Sequence, residues 1–126
     1  MKLNEVTVGR TDLTASFGGN GVDSDETVAM VKTVASAAAQ RGMKTTMGGS
    51  INVETIALLK RDSELRGLIA AVETRKCVMP VERFLEDGAL DAAFAVELAL
   101  LDLQLGYHDA IAAAAHARRG QLQARL

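Results

Sequence analysis

The hydrophobic and polar positions of this chain follow two alternating patterns, one of short strand-like runs, either β-branched or apolar, and one with a helical period. Runs of strand length occupy residues 5–8, 44–47 and 68–72, and each ends beside a glycine or a charged residue. Between these runs, apolar residues recur every three or four positions, as in an amphipathic helix. The pattern predicts the order β-α-β-α-β over residues 1–80.

Local capping signals mark the ends of the two intervening helices. Asp23 lies three residues before Glu26, the spacing of a capping pair at a helix start, and Gly42 is placed to end that helix. Asn52 can cap the second helix. Each helix is therefore expected to connect one strand to the next.

The C-terminal part of the chain, residues 81–126, follows the helical pattern throughout. Pro80 fits the first turn of a helix, whereas Gly106 and Gly120 are expected to break the segment. One apolar stripe comprises Leu90, Phe94, Leu98, Leu101 and Leu105. We expect this segment to be an oligomerisation element that forms one domain with residues 1–80.

Three consecutive βα units imply a parallel sheet, because each helix is the crossover between neighbouring strands. Right-handed crossovers would place the helices on one side if the strands curl as in a barrel, and three strands are too few for the eight-stranded (β/α)₈ architecture. The pattern itself predicts an α/β fold of three parallel βα units with a long C-terminal helical segment. Its outer strands would present unpaired backbone groups that invite another chain.

Composition and charge exclude several classes of partner. With 14 basic and 16 acidic residues, the net charge is −2, which gives no electrostatic case for a nucleic acid or an anionic membrane. Aromatic residues make up 3% of the chain, which disfavours a base-stacking surface. We find neither a signal-peptide pattern nor 18 consecutive apolar residues, so we expect no membrane span.

Cysteine and histidine give weak signals. Cys77 is the one cysteine, which is compatible with a reducing cytoplasm, and we expect a cytoplasmic protein. No histidine lies near Cys77 in sequence, so a buried structural thiol is favoured over a nucleophile. His108 and His116 are eight residues apart, whereas metal ligands on one helical face would be four apart. We therefore expect no metal site at these histidines.

The most informative segment chemically is G-R-T-D-L-T-A-S-F-G, which runs from Gly9 to Gly18. Asp12 stands a few residues beyond the carboxyl end of a predicted strand, where barrel enzymes place catalytic groups. A carboxylate there could bind Mg²⁺ or Mn²⁺, which prefer oxygen ligands. It could also cap a turn by bonding its own backbone, and the local pattern alone favours the turn.

This segment resembles the G-x-x-D-L-x-x-x-x-G signature of the HpcH/HpaI aldolase and citrate lyase β-subunit family. The M-K-T-T-M-G-G-S-I-N and E-T-R-K segments follow in an order similar to one branch of that family, so that the resemblance covers most of residues 4–102. It implies a TIM-like barrel, so that the predicted fold class becomes a partial TIM (β/α)₈-type barrel of three parallel βα units. It also implies a divalent metal, Mg²⁺ or Mn²⁺, that stabilises an enolate during C–C cleavage. The expected substrate is a 2-oxo acid or a CoA ester. The resemblance favours Asp12 as a metal ligand and the Thr11 N–H as a contact to the substrate carboxylate.

Two parts of the family's site have no counterpart here. Its glutamate ligand and its substrate-binding arginine would fall upstream of Met1. We therefore expect little activity from the chain alone, and a partner that is either a complementary N-terminal half-barrel chain or another copy. The alternatives are a non-catalytic half-barrel that serves in binding or assembly, and a fragment of a larger enzyme.

Other candidate residues lie at the ends of the second and third predicted strands. Glu73 and Arg75 are candidate catalytic residues, with Arg75 able to bind a carboxylate or phosphate; a plain Glu–Arg pair is equally compatible. Gly48 and Gly49 could let substrate approach the backbone, or could simply satisfy a turn. For Arg10, a surface position is favoured over a substrate contact.

Overall fold

The chain forms four strands and six helices within residues 2–126, the part described by the computed structural model. The strands are β1 (Glu5–Gly9), β2 (Lys44–Gly48), β3 (Ala71–Glu73) and β4 (Val78–Pro80). The helices are α1 (Arg10–Phe17), α2 (Asp25–Gln40), α3 (Val53–Arg61), α4 (Ser63–Leu68), α5 (Val81–Phe84) and α6 (Ala89–Gln123). None of the described helices has the length and apolar character needed to cross a membrane.

The sheet has the order β1-β2-β3-β4 and is mixed. The β1–β2 and β2–β3 pairs are parallel, whereas β3–β4 is antiparallel. The predicted fold class, a partial barrel of three βα units, is therefore wrong. The sequence pattern had no element for β4, which joins the sheet directly instead of through a helix.

A tight turn after β3 is the physical reason for this difference. The Thr74 N–H donates to the carbonyl of Cys77 at 2.8 Å, and the Cys77 N–H donates to Oγ1 of Thr74 at 3.1 Å. These bonds reverse the chain, so that the next residues pair antiparallel with β3. A helix then begins at Val81, directly after Pro80.

The two faces of the sheet differ in polarity because successive side chains point to opposite sides. Val8, Met47 and Val72 are register neighbours on one face and belong to the hydrophobic core, together with residues of α2 to α6. The opposite face carries Thr7 and Thr46 in register. We call it the polar face.

The structure confirms one of the two predicted helix N-caps and corrects the other. The Asn52 cap of α3 is confirmed, since its Oδ1 accepts from the backbone N–H groups of Glu54 and Thr55. Helix α2 is instead capped by Ser24, whose side chain accepts from the Thr27 N–H. Asp23, the predicted cap, lies one residue too early and pairs with Arg10.

The predicted breaks at Gly106 and Gly120 are wrong, because α6 runs without interruption over 35 residues. A glycine costs a helix about 1 kcal/mol relative to alanine, and the surrounding alanines and leucines are strong helix formers. The chain divides into two compact units, the first ending at Phe94 and the second running from Ala95 to Leu126. Every residue from Leu98 to Leu126 is exposed.

An ion-pair cluster connects α2 to the start of α4. Lys32 Nζ lies 2.9 Å from Oδ2 of Asp62 and 2.7 Å from Oε2 of Glu64. Asp62 also caps α4, because its Oδ1 accepts from the Leu65 N–H at 2.9 Å. The hydrogen bond from Leu65, followed by that from Lys32, lowers the pKa of Asp62 below its usual value.

We expect the charge of Asp62 to stabilise the fold above its ordinary pKa of about 3.9. This contribution should be lost as the pH falls through the lowered pKa of the folded state. The stability difference between wild type and Asp62→Asn, measured by urea unfolding, should therefore shrink in acid. Asp62→Ala, which removes the cap as well, should cost about 1 kcal/mol at neutral pH. A difference from Asp62→Asn that stays constant from pH 7 to 2 would contradict this account.

Candidate functional site

Three parallel strands end together at one edge of the sheet. Gly9, Gly48 and Glu73 are register neighbours there, so their side-chain positions share the polar face. A Cβ placed on Gly9 would lie 3.7 Å from Oδ2 of Asp12, and one on Gly48 would lie 3.9 Å from Oε2 of Glu73. The two carboxyl groups therefore lie against adjacent strands, whose spacing is about 4.8 Å. We call Asp12 and Glu73 the carboxylate pair.

The two members of the carboxylate pair are held by different elements. Asp12 is exposed in the first turn of α1, which follows β1 with Gly9 as its N-cap. Helix first turns favour negative charge because their free N–H groups carry partial positive charge. Glu73 is half-buried as the last residue of β3. Glycine at the two neighbouring positions leaves room beside both carboxylates.

Gly49 and Ser50 connect the end of β2 to the start of α1. An added Cβ on Gly49 would lie 2.6 Å from the backbone nitrogens of both Arg10 and Thr11. Ser50 has a φ of +49°, and its hydroxyl lies 3.0 Å from the Thr11 hydroxyl. The backbone of Gly49 therefore packs against the Thr11 amide. The hydroxyls of Thr11 and Ser50, in contrast, are exposed beside the strand ends.

The expectation of a surface position for Arg10 is wrong, because its side chain is 1% exposed. Its guanidinium donates to the carbonyls of Gly48 at 3.3 Å and Gly49 at 2.8 Å, and to Oγ1 of Thr55 at 3.1 Å. It also pairs with Asp23. Burial lowers the pKa of Arg10, and the charge of Asp23 and its hydrogen bond oppose that shift.

Arg10 therefore fastens the end of β2 to the start of α1. The carboxylate pair depends on that junction, since Asp12 lies two residues beyond Arg10 and Glu73 pairs with Gly48. Arg10 is accordingly a positioning residue. Sequence reasoning missed it because the Gly48 and Gly49 contacts lie 38 and 39 residues away along the chain.

The remaining candidates lie further along the chain. Arg75 is exposed in the turn between β3 and β4, and no ion pair joins it to Glu73 among residues 2–126. Cys77 is partly buried in the same turn, where its backbone bonds Thr74. His108 and His116 are exposed on α6. The structure thus brings Asp12 and Glu73 to one edge and leaves Arg75 exposed just beyond β3.

The carboxylate pair suits a hard divalent cation, although it offers few ligands. Within residues 2–126, no group of three or more histidine, cysteine, aspartate or glutamate side chains is arranged to hold a metal ion. Mg²⁺ is commonly held by one or two carboxylates, with water and substrate oxygens completing six positions. Asp12 and Glu73 are therefore candidate ligands for Mg²⁺ or Mn²⁺ and would leave the other positions to water, substrate or another chain.

No family model matches the sequence, and neither a curated protein nor a solved structure is significantly similar to the chain.

Proposed function

We propose that the chain is a subunit of a divalent-metal-dependent aldolase or C–C lyase that acts on a 2-oxo acid or a CoA-ester-type substrate. The observation that supports this function is the carboxylate pair, which lies against two glycine positions at the carboxyl ends of three parallel strands. Catalytic groups are commonly placed beyond the carboxyl ends of parallel strands.

Each candidate residue has a chemical role in this proposal. Asp12 and Glu73 would hold Mg²⁺ or Mn²⁺, and Glu73 would also move a proton on the substrate. A bound dication would supply Lewis-acid stabilisation of negative charge that develops on a substrate oxygen. Because Gly49 packs against the Thr11 amide, we assign the exposed Thr11 hydroxyl, in place of the expected N–H, to the substrate carboxylate, and Gly48 would leave space for it. Arg75 neutralises a second anionic group by paired hydrogen bonds.

A second chain is part of the proposal. Two carboxylates leave most of the coordination positions of Mg²⁺ to other oxygen atoms. Water and substrate can fill some of them, and another polypeptide can contribute the rest. Activity should accordingly be low for the isolated chain and should rise when the partner that completes the site is added.

Metal binding gives the first test. We expect Mn²⁺, followed by electron paramagnetic resonance, to bind the full chain and to bind Asp12→Asn at least tenfold more weakly. Loss of a group that merely supports a ligand weakens metal affinity about 10- to 100-fold, so loss of a ligand should cost at least as much. Asp25→Asn is the matched control, because Asp25 is an exposed first-turn aspartate of another helix. Equal Mn²⁺ affinity in wild type and Asp12→Asn would overturn the metal assignment.

Proton exchange gives the second test and requires no knowledge of the natural substrate. We expect the chain with Mn²⁺ to exchange the methyl protons of pyruvate for deuterium, as measured by nuclear magnetic resonance. Because the proposal gives Glu73 both roles, Glu73→Gln should weaken Mn²⁺ binding and should also lose exchange at saturating Mn²⁺. Exchange that is unaffected by either Asp12→Asn or Glu73→Gln would contradict the proposed chemistry.

A non-catalytic assembly protein is the alternative, and one observation favours it. The second unit exposes many large apolar side chains, including Leu98, Leu103 and Leu105, with exposed fractions of 60%, 72% and 60%. Such a surface is typical of an interaction element. Asp12-dependent Mn²⁺ binding would favour the lyase, whereas self-association without any metal binding would favour assembly.

A further inference from the structure

The exposed part of α6 is apolar on more than one side, and one of its stripes has apolar residues at alternating steps of three and four. These residues are Leu98, Leu101, Leu105, Ala112, Ala115 and Leu122. His108 and Arg119 occupy the two remaining steps of the same series. Such spacing is the a/d pattern of a two-helix coiled coil, with Leu98 at an a position. We call these eight positions the seam.

The positions of the seam are spaced symmetrically about Ala110. Leu98 and Leu122 are each twelve residues from Ala110, and Leu105 and Ala115 are each five residues from it. We propose that α6 pairs antiparallel with α6 of a second copy of this chain, with a two-fold axis near Ala110. In that register an a position always meets a d position, as antiparallel pairs require.

The proposed register places small residues against large ones. Leu98 meets Leu122 of the second copy, Leu105 meets Ala115, and Leu101 meets the aliphatic stem of Arg119. At the centre, His108 meets Ala112. The alanines allow the two backbones to approach closely there, while the leucines fill the space towards both ends.

Charges along α6 favour the antiparallel direction. The beginning of this segment is acidic, with the half-buried Glu97 and the exposed Asp102, and its end is basic, with Arg118 and Arg119 on α6 and Arg125 just beyond it. Antiparallel pairing places Glu97 near the chain end that carries Arg125 in the second copy, and Asp102 near His116. In parallel pairing Arg119 would meet Arg119 inside the seam, and Glu97 would lie beside Asp102. The parallel pair therefore juxtaposes like charges that the antiparallel pair separates.

One like-charge contact remains in the proposed pair. Asp109 lies beside the two-fold axis and meets Asp109 of the second copy. Asp109→Asn should therefore tighten the dimer, and more so at low ionic strength, because salt screens the repulsion between exposed carboxylates. An Asp109→Asn variant with weaker association would contradict this register.

Sedimentation of the full chain tests the pairing. We expect a concentration-dependent dimer of twice the 13.3 kDa chain mass. Leu98→Gln should raise the dissociation constant about 100-fold, since each dimer loses two buried leucine side chains. Leu103→Gln is the matched control, because Leu103 is exposed on α6 but lies outside the seam. A wild-type monomer at micromolar concentration, or equal weakening by both variants, would overturn the proposal.

Cysteine cross-linking tests the direction. In a Cys77→Ser background, Leu98→Cys and Leu122→Cys chains should form a disulfide when mixed and oxidised. Neither should cross-link to itself, because two copies of one site would lie about 36 Å apart along an antiparallel pair. Self-cross-linking of each variant without a mixed product would show parallel pairing and overturn the inference. Both tests are independent of Asp12 and Glu73. Their outcome therefore neither supports nor contradicts the lyase proposal, which the Mn²⁺ and proton-exchange experiments test.

Discussion

Arg10→Met is expected to lower the free energy of unfolding by about 2–4 kcal/mol, because several buried and half-buried acceptors lose the guanidinium that donates to them. The substitution keeps much of the side-chain volume but removes every donor of the guanidinium. Asp23 loses its partner, and the carbonyls of Gly48 and Gly49 lose theirs. Buried acceptors left without donors account for most of the expected cost.

Urea unfolding followed by circular dichroism measures this effect. Arg75→Met is the matched control, since Arg75 is exposed and its replacement should change stability by no more than about 0.5 kcal/mol. Arg10→Lys should recover little, because a single ammonium cannot bond the carbonyls, Thr55 and Asp23 together. A loss below 1 kcal/mol for Arg10→Met would show that the network contributes little to the fold.

The strands were predictable from the sequence, whereas the complete sheet was not. Residues 5–8 and 44–47 correspond closely to β1 and β2, because a short β-branched run bounded by glycine is a local signal. The third predicted strand, residues 68–72, starts too early, since Leu68 ends α4 and β3 begins at Ala71. The edge strand β4 has three residues, too few for an alternating pattern to be visible, and its turn depends on a Thr74 side-chain bond.

The candidate site was predictable where it depends on strand ends. Carboxyl ends of parallel strands meet at one edge, so residues after β1, β2 and β3 were expected together, and Asp12, Gly48 and Glu73 lie there. The Arg10 network was not predictable, because its contacts with Asp23 and Thr55 depend on how α1 docks on the following loops. A single charged residue between a strand and a helix is usually exposed, so the local sequence predicts a surface position.

Gly49→Ala is expected to cost more stability than any other single methyl addition at the site. Gly49 has a φ of +88°, which side chains with a Cβ adopt at a cost of about 1–2 kcal/mol. The new methyl would also lie 2.6 Å from the backbone nitrogens of Arg10 and Thr11. Backbone atoms cannot rotate away as a side chain does, so α1 must shift, and overpacking of this kind costs about 1–3 kcal/mol more.

Gly42→Ala separates the two causes. Gly42 has a φ of +71° but no atom within 4 Å of the added Cβ, so this variant should show the backbone strain alone. A shift of α1 also moves Asp12 relative to Glu73, so Gly49→Ala should weaken Mn²⁺ binding while Gly42→Ala leaves it unchanged. Equal unfolding free energies for the two variants would mean that Gly49 lies further from the backbone nitrogens of Arg10 and Thr11 than described above. Equal Mn²⁺ affinities, with unequal stabilities, would mean that the position of α1 does not control the carboxylate pair.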